Sequence, residues 1–165
     1  MITISEAGLE DIKVIQEITN ITWPITYGEI LSQTQLEYML GLFYSDEALR
    51  KQIENKEQLF YLVSDSEATI GFIGIEHNYK NGLATKIHKI YLLPETQGKG
   101  IGKIVFQEIE KLALENNSTA LSLNVNRFNN ALRFYQKLGF EVTDEVNIDI
   151  GNGYLMEDYV MEKRL

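Results

Sequence analysis

Three glycines lie close together in the middle of the chain, at positions 98, 100 and 102. Glycine adopts positive φ angles easily, and its missing Cβ lets a phosphate approach the backbone closely. A helix that begins directly afterwards would add free N–H groups and the positive end of its dipole. The segment therefore predicts a pyrophosphate site. Its residues are Gln97, Gly98, Lys99, Gly100, Ile101 and Gly102.

The spacing of these glycines excludes two common phosphate-binding loops. A P-loop has four residues between its glycines and then Lys before Ser or Thr, whereas three residues separate Gly98 from Gly102, and Ile104 follows Lys103. A dinucleotide fingerprint needs its third glycine at position 103, which is lysine here. A tight connection between a strand and a helix, with no ligand, is a further interpretation of the same glycines.

Hydrophobic periodicity predicts the elements that position this segment. Helices are predicted near residues 9–18, 32–43, 101–116 and 129–138. Strands are predicted near residues 2–4, 59–64, 69–77, 83–93, 120–125, 141–150 and 159–163. Ser32 and Gln35 have the spacing of a capping box for the second helix. The predicted fold class is α+β, with a mixed, mostly antiparallel sheet of about seven strands and helices on its faces.

Composition is that of one globular domain, which we expect to span residues 1–165. Residues 81–140 hold 8 Lys/Arg and 4 Asp/Glu in a chain of net charge −9, as a site for a small polyanion requires. The net charge argues against nucleic acid as a partner. No apolar run approaches the ~18 residues of a membrane span, and no signal peptide is found, so a cytoplasmic location is expected. No cysteine and two histidines leave no expected metal site.

Two segments resemble the motifs of the GNAT acetyltransferase superfamily. Residues 90–102, IYLLPETQGKGIG, resemble its acetyl-CoA-binding motif, and residues 129–140, NNALRFYQKLGF, resemble its later motif. The two occur in the expected order, with a helix and a strand between them. Together with the strand order, the resemblance covers nearly the whole chain. It implies acetyl-CoA as co-substrate and a sheet that splays between its fourth and fifth strands.

The resemblance also implies roles for individual residues in cofactor binding. Backbone groups of Ile90 and Leu92 would pair with the pantetheine arm. The pyrophosphate would lie on the amides of residues 98–102, with the side chain of Gln97 assisting. Asn129 matches a position that commonly contacts coenzyme A in the superfamily.

Acetyl transfer needs an acid for the departing thiolate and a base for the attacking amine. In the superfamily a tyrosine of the later motif often supplies the proton, which here is Tyr135, although an aromatic pair in the core is the alternative interpretation. Many members carry a glutamate base on the fourth strand, where this chain has Lys86 and His88. Glu76, Tyr79 or a water chain could serve instead. With no cysteine, direct attack in a ternary complex is expected.

Residues 22–29 are interpreted as one loop that recognises the acceptor. Trp23 and Tyr27 would hold a cation by their ring faces, with Glu29 as counter-charge, or Trp23 would anchor the loop in the core. Residues 1–80 hold 5 Lys/Arg and 13 Asp/Glu, which favours a cationic acceptor. The segment is loosely similar to polyamine acetyltransferases.

The predicted function is an N-acetyltransferase that moves an acetyl group from acetyl-CoA to a primary amine, with a polyamine or other small cationic amine preferred. A protein N-terminus or lysine is the second acceptor class. A non-catalytic acyl-CoA-binding sensor is the alternative from another class. A homodimer is the expected oligomer, since dimers are common among similar proteins.

Overall fold

The computed structural model describes all 165 residues. Seven strands form one sheet in the order β1-β2-β3-β4-β5-β7-β6. The strands are β1 (Ile2–Glu6), β2 (Leu59–Asp65), β3 (Ala68–Glu76), β4 (Ala84–Leu92), β5 (Ala120–Asn126), β6 (Glu141–Gly151) and β7 (Tyr154–Arg164). The helices are α1 (Ile12–Tyr27), α2 (Gln33–Tyr44), α3 (Asp46–Glu54), α4 (Ile101–Glu115) and α5 (Leu132–Lys137).

The pairing of the strands confirms the predicted α+β class and mixed sheet. The pairs β1–β2, β2–β3, β5–β7 and β6–β7 are antiparallel. The β4–β5 pair is parallel, with Ala84 opposite Ala120 and Ile87 opposite Leu123. This parallel ladder ends at Ile87, whereas β4 continues to Leu92.

The chain divides into two compact units. The first consists of Met1–Glu76 and His88–Ile109, and the second of His77–Ile87 and Glu110–Leu165. The glycine-rich segment 97–102 belongs to the first unit, and the later motif 129–140 belongs to the second. A single functional domain over residues 1–165 stays a prediction.

Helix α1 is longer than its periodicity predicts, and the predicted loop over residues 22–29 is wrong. The helix continues through Pro24 to Tyr27. Pro24 has no N–H to donate to the carbonyl four residues earlier, which removes one bond of the helix, but its own carbonyl accepts from Gly28 N at 2.9 Å and the helix continues. The buried hydroxyls of Thr19 and Thr22 donate to carbonyls one turn earlier, so these polar residues are accommodated in the packed face of the helix.

Local signals explain the start of α2 and the length of β7. The Ser32 hydroxyl accepts from Gln35 N at 3.2 Å, which confirms the predicted N-cap. β7 begins at Tyr154, five residues earlier than predicted. Gly151 and Gly153 both have positive φ, so the chain reverses tightly and pairing resumes at once.

Lys89 of β4 is a charged residue in the core of the first unit. It is 6% exposed. Its Nζ donates to Gln52 Oε1 at 2.7 Å and to Gln58 Oε1 at 2.9 Å. The ring centroids of Tyr44 and Phe60 lie 5.6 and 5.2 Å from the same nitrogen. Burial lowers the pKa of Lys89 to about 7, because the charged form loses its hydration.

The buried Lys89 predicts a pH dependence of stability. Its folded-state pKa of about 7 lies below the ordinary 10.5, so between these values the unfolded chain binds more protons than the folded one. Stability from this group therefore rises with pH across that window, by at most about 1.4 kcal/mol per pH unit, and the gain is absent below it. In urea unfolding, the stability of the wild type relative to Lys89→Met should rise over this range. The exposed Lys13→Met is the control, and a flat difference for Lys89→Met would contradict the prediction.

Candidate active site

The glycine-rich segment forms an exposed turn between β4 and α4. Gly98 has φ +76° and Gly100 has φ +71°, values that L side chains rarely adopt. A Cβ built on either glycine meets no atom within 4 Å. The glycines are therefore required by the backbone conformation and not by close packing, and the space above them is open.

Helix α4 begins at Ile101, directly after this turn, as the sequence predicts. The side chain of Ile101 is buried, so only its backbone amide can contact a ligand. The first turn of a helix has N–H groups without intrahelical acceptors. Together with the side chains of Gln97 and Lys99, which are exposed, these amides could hold the oxygens of a pyrophosphate.

Strand β4 leads into this turn and carries Ile90 and Leu92, both half-buried. Leu93 N donates to Ile70 O at 2.8 Å, just before Pro94. A Cβ on Gly71 of β3 would lie 2.5 Å from the carbonyl oxygen of Tyr91. The close approach of β3 thus requires glycine at position 71, and it holds the end of β4 in place.

The later motif forms α5 and its flanking turns in the second unit. Asn129 Oδ1 accepts from Ala131 N at 2.9 Å, so a side-chain turn precedes the helix, and α5 is shorter than predicted. Gly139, with φ +100°, ends the segment as predicted. Asn129 therefore has a role in local structure besides the one the resemblance implies.

Tyr135 lies in α5 between two phenylalanines. Its ring centroid is 5.7 Å from that of Phe134 and 6.2 Å from that of Phe140. Burial raises the pKa of Tyr135 to about 12, because the phenolate would lose hydration. The phenol therefore holds its proton throughout the physiological range, as a general acid must.

The predicted acceptor residues differ in their burial and in their position relative to α1. Trp23 is 4% exposed and lies in α1, an observation that favours its role as an anchor. Tyr27 is half-buried on the same helix, four residues later, and Glu29 is exposed beyond the helix end.

An aromatic cluster surrounds Trp23 in the first unit. Its ring centroid is 4.7 Å from Tyr27, 5.4 Å from Tyr44 and 6.0 Å from Tyr91. The hydroxyls of Tyr27 and Tyr91 are 3.1 Å apart and hydrogen-bonded. Tyr27 and Tyr91 are half-buried, whereas Trp23 and Tyr44 are buried.

The candidates for the base separate into the two units. His88 Nε2 lies 2.9 Å from Glu76 Oε1, so the structure brings together two residues that the sequence offered as alternatives. Both belong to the first unit. Tyr79 belongs to the second unit, where its ring centroid lies 5.1 Å from Lys86 Nζ.

A polar chain in the second unit was missed at the level of sequence. Lys86 Nζ donates to Asn124 Oδ1, and Asn124 Nδ2 donates to Asp158 Oδ2 at 3.4 Å. Burial raises the pKa of Asp158, while the bond from Asn124 opposes that shift. Asp158 lies between the apolar Met156 and Val160 on its face of β7, which is a signal that could have indicated it, whereas Asn124 occupies an ordinary polar position of the alternating β5.

Two further properties of the structure concern metals and membranes. It contains no group of three or more His, Cys, Asp or Glu side chains placed to hold a metal ion. None of its helices combines the length and the apolar character that crossing a membrane requires.

The fold and motifs define a class of protein. Residues 29–163 match the model of an acetyltransferase (GNAT) domain. Because this match covers most of the chain, the protein belongs to the GNAT acetyltransferase family, as the two motifs predict.

Individual relatives agree with this assignment. The chain is 30% identical to a spermidine N(1)-acetyltransferase of Thermoplasma acidophilum, over 99% of this chain and 97% of the relative. It is 27% identical to an uncharacterised N-acetyltransferase of Bacillus subtilis, over 95% and 90% of the two chains. The crystal structure of the PaiA N-acetyltransferase of T. acidophilum in complex with coenzyme A matches with a TM-score of 0.83 and 29% identity, covering 100% of this chain and 99% of that one.

Proposed function

We propose that this protein transfers an acetyl group from acetyl-CoA to a small cationic amine, by direct attack in a ternary complex. The observation that carries the proposal is the open turn with positive φ at Gly98 and Gly100, followed at once by the first amides of α4. The similar PaiA enzyme, solved with coenzyme A, and the similar spermidine acetyltransferase support the cofactor and the acceptor class, respectively.

In this proposal the cofactor is held mainly by backbone groups of the first unit. The pyrophosphate lies on the amides of Gly98 to Gly102, with Gln97 and Lys99 at its side. Pantetheine pairs with the backbone of Ile90 and Leu92. Asn129, whose oxygen serves its own turn, contacts coenzyme A through its Nδ2 donor.

Alanine at position 100 tests the phosphate cradle. A Cβ there meets no protein atom but occupies the space where a phosphate would approach the backbone. Gly100→Ala should therefore weaken coenzyme A binding at least about tenfold in calorimetry, a loss of about 1.4 kcal/mol.

The matched control is Gly153→Ala in the β6–β7 turn. Gly153 has φ +78° and equally open surroundings, so the substitution imposes a similar backbone strain of about 1–2 kcal/mol. This variant should lose stability like Gly100→Ala and keep wild-type affinity. Equal affinities of both variants would remove the support for the cradle.

Tyr135 is proposed as the general acid that protonates the departing thiolate of coenzyme A. Its pKa of about 12 keeps the phenol protonated, and the packing of Phe134 and Phe140 holds the ring. As the C–S bond breaks, the electron pair leaves on sulfur and the phenol supplies its proton. The acetylated nitrogen then loses its excess proton, which restores the phenol through solvent.

Removal of the Tyr135 hydroxyl should separate chemistry from binding. Tyr135→Phe keeps the ring in place, so coenzyme A affinity should not change, while kcat should fall by about 10²–10⁴-fold. Stopped-flow thiol release measures kcat, and Tyr154→Phe on β7 is the control with the same loss of one oxygen. An unchanged kcat in the chemistry-limited regime would leave Tyr135 a purely structural role.

The acceptor is proposed to approach the end of α1, where the Tyr27–Tyr91 hydroxyl pair and Glu29 lie. The hydroxyl pair offers oxygens to an ammonium group, and Glu29 offers an exposed negative charge. Trp23 supports Tyr27 from the core without contacting the amine. The acidic character of residues 1–80 would concentrate a polyamine near this segment.

Salt dependence tests the cationic acceptor. Exposed charges are screened over about 8 Å at physiological ionic strength. Added salt should therefore raise KM for spermidine more than for an aryl monoamine, and Glu29→Gln should reduce that difference. Glu37→Gln, an exposed glutamate on α2, is the control and should behave like wild type. Preference for the aryl amine or a lysine peptide, or a KM for spermidine that does not change with salt, would overturn the proposed acceptor class. The proposed acetyl transfer from acetyl-CoA would still stand.

The sensor hypothesis makes the opposite prediction in the same assays, since it allows coenzyme A binding but no thiol release with any amine.

The homodimer and the cytoplasmic location stay predictions.

A further inference from the structure

Glu76 and His88 pair across the neighbouring strands β3 and β4. Glu76 is the last residue of β3, and its Oε1 lies 2.9 Å from His88 Nε2. The side chains are 36% and 24% exposed, respectively, so the pair is held by its strands yet can be reached from outside the core. A carboxylate that binds one imidazole nitrogen places the proton there and directs the basic lone pair to Nδ1.

We propose that His88 is the general base of the acetyl transfer and that Glu76 is its positioning residue; this assignment rests on the proposed acetyltransferase function. His88 takes one proton from the acceptor ammonium. The nitrogen lone pair then forms the C–N bond with the thioester carbonyl, and the C–S bond breaks as described for Tyr135. His88 returns its proton to solvent.

The position of His88 along β4 supports this assignment. The proposed phosphate turn follows the carboxyl end of β4, and the pantetheine is proposed to run back along Leu92 and Ile90. The reactive end of the cofactor would therefore point toward the preceding residues of the strand. His88 precedes Ile90 by two residues, on the same face and about 7 Å away along the strand.

The two lysines of β4 are less suited to the role. Lys86 is buried and donates to Asn124. Lys89 projects to the opposite face from His88, where its ammonium is enclosed by Gln52 and Gln58. Glu76 alone is a weak base at neutral pH, whereas an imidazole has an ordinary pKa near 6.5 and accepts a proton there.

The composition of the chain provides a matched control for the experiment. His77 and His88 are its two histidines. His77 belongs to the second unit, where its Nδ1 lies 2.8 Å from the Thr85 hydroxyl. His77→Gln is therefore a matched control that removes one imidazole of the same chain.

The test begins with wild-type thiol release and coenzyme A calorimetry. Wild-type enzyme that binds coenzyme A but acetylates no amine would overturn the proposed function and the base with it. With turnover established, His88→Gln should lower kcat by about 10²–10⁴-fold at neutral pH and keep coenzyme A affinity. His77→Gln should keep the wild-type rate.

Two readouts distinguish a base from a structural residue. Added imidazole should restore activity to His88→Ala and leave the rate of His77→Gln unchanged. In wild type, kcat/KM for spermidine should rise with pH as the imidazole of His88 loses its proton, and in His88→Gln that rise should move toward the pKa of the amine. A lost rate without imidazole rescue, or an unmoved pH profile, would overturn the assignment.

Glu76 provides a second test that does not depend on the folding of the His88 variants. Glu76→Gln should lower the midpoint of the wild-type pH profile, because the imidazolium loses a neighbouring negative charge. Glu76→Asp should restore part of that shift. A Glu76→Gln profile identical to wild type would contradict the positioning role.

Discussion

The packing of Trp23 against three tyrosines holds α1, α2 and β4 of the first unit together. Trp23 and Tyr27 come from α1, Tyr44 from the end of α2, and Tyr91 from β4. Aromatic pairs at such separations stabilise by about 0.5–1.5 kcal/mol each beyond the area that they bury. The cluster thus fixes the carboxyl end of β4, and with it the point from which the chain enters the glycine-rich turn. It also explains why Trp23 is buried while Tyr27 is half-buried.

Local signals account for what the sequence predicted well. The start of α4 at Ile101, the positive φ of Gly98 and Gly100, and the Ser32 cap depend on residues within a few positions of one another. The extension of α1 to Tyr27, in contrast, does not depend on such local signals. Pro24 predicts the end of a helix. The last turns are instead held in place because Trp23 is buried in the core. The helix end is therefore determined by residues far away in sequence.

The pairing of site residues depends on strand register, which periodicity does not determine. His88 and Glu76 were separate candidates because nothing in a single sequence states which residues of β3 and β4 face each other. Lys89 was missed for a related reason. A lysine in a strand pattern indicates a solvated position, and only the amides of Gln52 and Gln58 make its burial tolerable.

Backbone and side-chain recognition explain why the cofactor is easier to assign than the acceptor. A phosphate cradle of main-chain amides requires a particular backbone conformation, and Gly98 and Gly100 have positive φ with open space around them. An amine acceptor is recognised by side chains, which in the proposal are those of Tyr27, Tyr91 and Glu29. Membership of the GNAT family therefore carries the donor of the acetyl group with it. The proposed acceptor depends instead on hydroxyls and a carboxylate, and therefore on individual side chains.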